Sequence, residues 1–197
     1  LKMEASMRQD IEACSRTEKD TIRLGVVSSV ICTRGGEWIS GFLADNSEVR
    51  FEITEANTYS LLEKLRSDII HAALVRTPFA ESEFEVHGLV SEKMIAVLPG
   101  KSGEKHITMA QLAEQPLILY RRWESIILRE FREKELEPRC VCMCDDARTA
   151  VDLAERSVGA AVVPQSALGL VYPGRASCLE IPDCPSETQI VHVHKPG

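Results

Sequence analysis

The sequence is 197 residues long, with 44% hydrophobic and 27% charged residues, an ordinary balance for a globular chain able to bury a substantial core. Its formal net charge is −7 and no basic patch stands out, so the chain by itself is a poor candidate for binding the phosphate backbone of nucleic acids. It contains no run of 18 apolar residues, which argues against a membrane-spanning helix.

The cysteine count is odd, at seven, which argues against the disulfide framework of a secreted domain. No CxxC pair occurs, so a zinc ribbon is not indicated. Reduced thiols and the absence of a basic-then-apolar leader predict a cytoplasmic location.

Residues 1–20 are predicted to be the end of a linker helix. Met3, Met7, Ile11 and Cys14 repeat at spacings of four, four and three, which gives one narrow apolar stripe. The stretch begins in mid-pattern without a cap, as the tail of a longer helix does.

From residue 21, strands and helices alternate. The apolar runs and alternations predict strands at 22–27, 49–53, 69–75, 94–98, 117–120, 139–144, 160–163, 178–181 and 189–193. Helices are expected at 38–43, 58–65, 108–112, 125–136, 147–156 and 165–170. Strands that alternate with helices imply parallel strands joined by right-handed crossovers.

The pattern contains two similar blocks, and the second is inserted into the first. We therefore expect an α/β fold of two Rossmann-like lobes joined by crossover strands, a clamshell. Lobe I is predicted to comprise 21–98 and 170–197, and lobe II to comprise 99–169. In such sheets the ligand lies beyond the carboxyl ends of the strands, here in the cleft between the lobes.

The strand-to-helix junctions supply the candidate ligand-binding residues. Helix N-termini, hydroxyl groups and guanidinium groups all suit a small anion such as an organic acid. The candidates are Ser28, Ser29, Thr58, Arg76, Thr77, Tyr120, Arg121 and Asp145.

Each candidate also has a structural interpretation. Ser, Thr and Asp at helix starts are ordinary N-caps. Arg76 and Arg121 fit solvated surface positions equally well, and Asp145 would repel an anion.

Two further clusters allow more than one interpretation. Cys140, Cys142 and Cys144 share one face of a strand, which fits a metal or redox site, although packing as small hydrophobes is the favoured interpretation. His192 and His194 also share a face, either as a metal pair or as the alternating polar positions of a half-exposed strand, and the second is favoured.

Motifs of common enzymes are absent. The sequence contains no GxSxG, HExxH, P-loop or GxGxxG, and no nucleophile with an evident base. We expect no enzyme activity, no cofactor and no metal.

Several segments together resemble the effector-binding domain of LysR-type transcriptional regulators. They are IRLG at 22–25, EANT at 55–58, LLEKL at 61–65, the stretch 89–99, LAEQPLI at 112–118 and the stretch 150–164. Each segment is weak alone, but their order and spacing are specific, and the resemblance covers about Thr21 to Lys195.

The resemblance implies a periplasmic-binding-protein type II-like clamshell, fused through the linker helix to a winged helix-turn-helix that lies outside this sequence. It implies homodimers or tetramers in which the helix around Trp38 and Phe42 packs against a partner's helix near 150–155. Two residues depart from the family pattern: His71 replaces a usual Asp, and Ser157 a frequent Gly.

The predicted function is therefore a regulatory sensor. A small, anionic metabolite would bind between the lobes and, through subunit rearrangement, control the DNA binding of the missing head. A solute-binding protein of a transporter and an enzyme on the same fold are the alternatives; a permease encoded nearby would favour the first, and turnover of a bound ligand the second.

Overall fold

A computed structural model describes residues 21–80 and 82–196 of the chain. The predicted linker helix at residues 1–20 lies outside the described residues. Among the described helices, none is both long enough and apolar enough to cross a membrane.

Within residues 21–80 and 82–196, nine strands alternate with short helices. The strands are β1 Thr21–Val26, β2 Arg50–Glu55, β3 Ala72–Arg76, β4 Glu85–Pro99, β5 Pro116–Tyr120, β6 Arg139–Cys144, β7 Ala160–Pro164, β8 Ala176–Glu180 and β9 Glu187–His194. The α-helices are α1 Ser28–Val30, α2 Gly36–Asp45, α3 Thr58–Arg66, α4 Met109–Ala113, α5 Glu124–Glu133 and α6 Ala147–Glu155. A π-helical turn, Ile31–Gly35, joins α1 to α2, and 3-10 turns occupy Arg121–Trp123 and Gln165–Leu170.

The predicted strands and helices are confirmed, with shifted ends. The largest difference is β4, which was expected at 94–98 and begins at Glu85. Its first part reads EVHGLV, whose polar residues and glycine hide the strand from a hydrophobicity pattern.

By residue contacts the chain divides into two compact units. Unit 1 extends to Ser91 and resumes at Thr188, and unit 2 runs from Glu92 to Glu187. The lobe limits expected from the sequence describe domains that fold as units. A division by residue contacts does not test them, so they stay a prediction. The units divide elsewhere because β8 pairs with β4 within unit 2, so the chain returns to unit 1 only at β9.

Unit 1 has the strand order β2-β1-β3-β9, followed by the first part of β4. β1 is parallel to both β2 and β3, and β9 is antiparallel to β3. Helix α3 packs on this sheet through Leu61 and Leu65, which are fully buried. Gly25 permits this approach, because a Cβ there would lie 2.6 Å from Ile70 Cδ1 and 2.9 Å from Leu61 Cδ2.

Phe42 is part of the core of unit 1. Its ring makes an edge-on contact with Phe51, with the ring centroids 5.6 Å apart. Phe42 is therefore covered within unit 1, while Trp38 on the same helix is half-buried. The expectation that this helix packs against a partner's helix stays a prediction.

Unit 2 repeats the same arrangement. β5 is parallel to β6 and β7, and β7 and β8 are antiparallel to the second part of β4. A capping box at Thr108 and Gln111 starts α4, and the Asp146 carboxylate starts α6 by accepting from the Arg148 N–H.

The cysteine cluster on β6 is not uniform. Cys144 is buried, whereas Cys140 lies with Arg139 and Val141 in the exposed start of this edge strand. Core packing is confirmed for Cys144 and wrong for Cys140. Burial raises the pKa of the Cys144 thiol.

β9 is a buried strand. Residues Ile190 to Val193 are all buried, so the interpretation of His192 as a polar position on a half-exposed strand is wrong. Burial, together with the nearby His194 and His87, lowers the pKa of His192 to about 3, so this imidazole is neutral at physiological pH.

The two departures from the family pattern have local explanations. Ser157 follows the end of α6 with a φ of 64°, the left-handed conformation that favours glycine. The His71 imidazole accepts a hydrogen bond from the Arg23 N–H through Nδ1 at 3.2 Å, a role that a carboxylate could also fill.

We predict that Ser157→Gly stabilises the protein. The substitution removes the steric cost of a left-handed serine, which we expect to raise the free energy of unfolding by about 0.5–1 kcal/mol. Urea unfolding measures the change. Ser67→Gly is the matched control, because Ser67 ends α3 with a φ of −87° and glycine relieves nothing there. A Ser157→Gly protein that is no more stable than the wild type, or a Ser67→Gly protein that is stabilised as much, would contradict the explanation.

Candidate functional site

The carboxyl ends of β1, β2 and β3 lie at one edge of the unit 1 sheet. In the parallel register Val26 is opposite Glu55 on one side and Leu74 on the other. The residues that follow each strand therefore meet at this edge, which we call the carboxyl edge and define as Ser28, Ser29, Thr58, Arg76 and Thr77. The strand order reverses between β1 and β3, and such a switch point is where ligands bind in open α/β sheets.

Arg76 is a buried cation at the carboxyl edge. Its side chain is only 1% exposed, and its Nε–H donates to Ser29 Oγ at 3.0 Å across the switch point. The interpretation of Arg76 as a solvated surface residue is therefore wrong. Burying a guanidinium group is costly unless polar groups surround it, which makes Arg76 a candidate for binding a polar ligand.

Thr58 is the first residue of α3 and is 1% exposed. The cap of this helix is Asn57, whose side chain accepts from the Ser60 N–H at 2.9 Å. Within residues 21–80 and 82–196, Thr58 Oγ1 is buried and makes no hydrogen bond. A buried hydroxyl without a partner is destabilising, which points to a partner outside the protein.

Ser28 and Ser29 are not helix caps either. The cap position of α1 is Val27, and no side chain caps this helix among the described residues. Their backbone N–H groups thus open a helix at the carboxyl edge, next to Arg76, in the arrangement that favours an anion. The capping interpretation is wrong for Ser28, Ser29 and Thr58.

Thr77 has a different role. Its Oγ1 accepts from the Gln189 N–H at 3.1 Å, and its carbonyl accepts from the Thr188 hydroxyl at 3.0 Å. These bonds hold the end of β3 to β9, so the hydroxyl of Thr77 supports the carboxyl edge from the side of β9.

In unit 2 the predicted residues Tyr120, Arg121 and Asp145 also follow parallel strands. Tyr120 is buried opposite Cys144 in the register of β5 and β6. Arg121 Nε donates to Asp145 Oδ1 at 2.6 Å, and this contact raises the pKa of the guanidinium. Arg121 and Asp145 therefore compensate each other's charge, and both are exposed.

One junction of unit 2 was missed from the sequence. β7 lies beside β5, and its carboxyl end continues into the 3-10 turn at Gln165 and Ser166. The strand order of unit 2 reverses between β5 and β7, so this turn occupies the switch point. The sequence does indicate this junction, because Pro164 ends a fully buried strand directly before a helical segment.

Unit 2 also contains a cavity of about 230 Å³. Its lining includes Lys93, Gln165, Glu180 and Cys184 but none of Tyr120, Arg121 or Asp145. Lys93 and Glu180 give it charges of both signs, so its chemistry does not select an anion in the way that the carboxyl edge does.

The fold and the carboxyl edge define a small-molecule-binding α/β domain. The family model described as "LysR substrate binding domain" matches residues 15–197, so the chain belongs to this family. The expected resemblance is confirmed, and with it the periplasmic-binding-protein type II-like two-lobe fold.

Curated relatives are transcriptional regulators. The HTH-type transcriptional regulator BsdA of Bacillus subtilis (strain 168) is 31% identical over 122 residues, which are 58% of this chain and 42% of that protein. The uncharacterized HTH-type regulator YnfL of Escherichia coli (strain K12) is 23% identical over 164 residues, 79% of this chain and 55% of that protein. The chain thus spans about half the length of the curated relatives it matches.

Solved structures share the fold at low identity. The effector-binding domain of QuiR in complex with shikimate superposes with a TM-score of 0.77 at 16% identity, covering 91% of this chain and 89% of that one. The BenM effector-binding domain with its effector benzoate gives 0.76 at 19%, covering 90% and 84%. Full-length CbnR complexed with its target DNA gives 0.76 at 18%, covering 98% and 70%.

We predict opposite effects on stability for two substitutions at the carboxyl edge. Thr58→Val removes a buried hydroxyl that makes no hydrogen bond, and should raise the free energy of unfolding by about 1 kcal/mol. Ser29→Ala removes the acceptor of the buried Arg76 Nε–H, and should lower it by about 1.5–3 kcal/mol. Urea unfolding of the ligand-free protein measures both.

Thr188→Val is the matched control for the threonine substitution. Thr188 is equally buried in unit 1, but its hydroxyl donates to the Thr77 carbonyl. Valine at 188 should therefore destabilise the fold. A Thr58→Val protein that is destabilised as much as Thr188→Val would show that the Thr58 hydroxyl has a partner within the protein.

Proposed function

We propose that the chain is the effector-sensing domain of a bacterial LysR-type transcriptional regulator, and that its effector is a small organic anion. Its role is regulatory rather than catalytic, as for the family to which it belongs. The whole regulator acts on DNA through a separate winged helix-turn-helix, in the cytoplasm and as a homodimer or homotetramer. Family membership favours this function over that of a transporter's solute-binding protein.

One observation supports an anionic effector above the others. The carboxyl edge contains a buried cation, Arg76, and a buried hydroxyl, Thr58 Oγ1, that makes no hydrogen bond within the described chain. The start of α1 at Ser28 and Ser29 adds backbone N–H groups and the positive end of a helix. A carboxylate fits this set because it offers two acceptor oxygens and one negative charge.

The chemistry of the effectors of two structural neighbours agrees with this choice. Benzoate, the effector in the BenM structure, and shikimate, present in the QuiR structure, are both carboxylates on a six-membered ring. At below 20% identity these neighbours do not identify the effector of this chain. They define the compounds with which a search should begin.

Regulation then follows from coupling between binding and assembly. An effector that binds one arrangement of the subunits more tightly shifts the population toward that arrangement. The shift repositions the DNA-binding heads, and no covalent step is required. Tyr120, Arg121 and Asp145 remain predicted contributors from unit 2, with Arg121 and Asp145 acting as a pair.

The test is a ligand panel read by thermal unfolding. Benzoate, shikimate and other small carboxylates, aromatic acids and amino acids are compared with matched neutral amides such as benzamide. A carboxylate present at 100 times its Kd should stabilise the protein by about 2.7 kcal/mol, and its amide should not. Thr58→Val and Arg76→Gln should abolish the shift.

Arg156→Gln is the matched control, because it removes an arginine that is exposed and already paired with Asp152, outside the candidate site. It should keep most of the shift. A response to amides as strong as to acids would contradict the anionic effector, and a response that survives both Thr58→Val and Arg76→Gln would place the effector elsewhere.

A further inference from the structure

Three histidines and a glutamate lie together in unit 1, away from the carboxyl edge. Glu85 and His87 come from the first part of β4, and His192 and His194 from β9, the neighbouring strand. The imidazole centroids of His87 and His194 are 5.5 Å apart, and those of His192 and His194 are 5.4 Å apart. More than 100 residues of sequence separate the two pairs, so only strand pairing reveals the cluster.

The ligand atoms of Glu85, His87 and His194 converge. One ligand atom from each residue lies within 4.8 Å of the other two. Nε2 of His194 is 3.5 Å from Glu85 Oε2, and Nε2 of His87 is 4.0 Å from the same oxygen. Ligand atoms in a tetrahedral site with metal–nitrogen bonds of about 2.0–2.1 Å are about 3.3 Å apart, so only small side-chain movements are needed.

His194 is also oriented as a metal ligand is. Its Nδ1 lies 2.7 Å from the carbonyl oxygen of Lys195, and because a carbonyl only accepts, Nδ1 carries the proton. In the neutral ring Nε2 then presents its lone pair toward the Glu85 carboxylate. Metal-binding histidines are typically held in this way by a backbone carbonyl.

The surroundings permit a bound cation. His192 packs against the His87 ring at a centroid distance of 6.1 Å and is buried. The nearest cation along the chain, Lys195, binds both carboxylate oxygens of Asp68 at 2.8 Å, so its charge is compensated.

From this geometry we propose that Glu85, His87 and His194 bind one divalent metal ion such as Zn²⁺. Two imidazoles and a carboxylate are a ligand set that such ions accept, and a fourth position remains for water or another ligand. His192 is a positioning residue that packs against the rings of both ligand histidines.

The site is separate from the proposed effector site. His194 pairs with Ala72 at the start of β3, whereas Arg76 ends that strand opposite Ile190. Four residues of strand at about 3.3 Å each put the two sites about 13 Å apart. Loss of one function therefore need not affect the other.

Isothermal titration of the 197-residue chain with Zn²⁺, without an affinity tag and in a non-chelating buffer, tests the proposal. We expect one equivalent of Zn²⁺ to bind. Glu85→Gln and His194→Gln should each weaken binding by about tenfold or more. Glu85 is half exposed, so its substitution should leave the fold intact, as circular dichroism will verify.

His106→Gln is the matched control. His106 is exposed and lies 3.5 Å from the Glu180 carboxylate in unit 2, an isolated histidine–glutamate pair without a second histidine. The His106→Gln variant should bind Zn²⁺ with the same affinity as the wild type.

The cysteines are the competing zinc ligands. The spectrum of bound Co²⁺ distinguishes thiolate ligands from imidazole ligands. We expect a Co²⁺ spectrum without a thiolate charge-transfer band. The proposal is overturned if no Zn²⁺ binds, if Zn²⁺ binds unchanged in both variants, or if the thiolate band accompanies the bound Co²⁺.

Discussion

The parallel pairing of β1 with β2 and β3 is the constraint on which the account depends. Parallel strands place their carboxyl ends at one edge, and the register sets Val26, Glu55 and Leu74 side by side there. Residues up to 47 positions apart in the sequence therefore come to the same edge: Ser29 follows β1, Thr58 begins α3 after β2, and Arg76 ends β3. Without this strand pairing, nothing in the sequence would bring the three residues to one edge of the sheet.

The buried polar groups of the carboxyl edge reduce stability, which is consistent with the binding role that we propose for this edge. A buried hydroxyl that makes no hydrogen bond within the described residues, such as Thr58 Oγ1, opposes folding, and the rest of unit 1 must compensate for it. Violations of this kind are expected at functional sites, where a ligand completes the interactions that the chain leaves unfinished. Asn57 illustrates the division of roles, because it caps α3 and so leaves the adjacent Thr58 hydroxyl available for a ligand.

The sequence predicted the alternation of strands and helices because hydrophobic periodicity records which face of each element is buried. It also placed Ser29, Thr58 and Arg76 at strand-to-helix junctions, but it could not separate a cap from a ligand-binding group. Whether a residue caps the helix depends on an offset of one residue, since Asn57 is the cap of α3 and Thr58 is not. Whether Arg76 is a surface residue depends on its burial in the folded chain.

Features that depend on pairing between distant strands escaped prediction altogether. The start of β4 lacks a hydrophobic pattern, so the side-by-side position of His87 and His194 had no signal in the sequence. The pairing of Arg121 with Asp145 follows from the adjacent ends of β5 and β6. The register of each strand against its neighbour supplies this information, and a single sequence does not encode it in a readable form.

The most direct test of the central claim is to locate a bound carboxylate by NMR. The wild-type protein, labelled with ¹⁵N, would be titrated with a carboxylate that stabilises it, and the shifts of the backbone amides and of the Arg76 Nε–H followed. The account predicts that the largest changes occur at Ser28, Ser29, Thr58 and Arg76. Changes concentrated instead at Lys93, Gln165 and Cys184, around the cavity of unit 2, would contradict it.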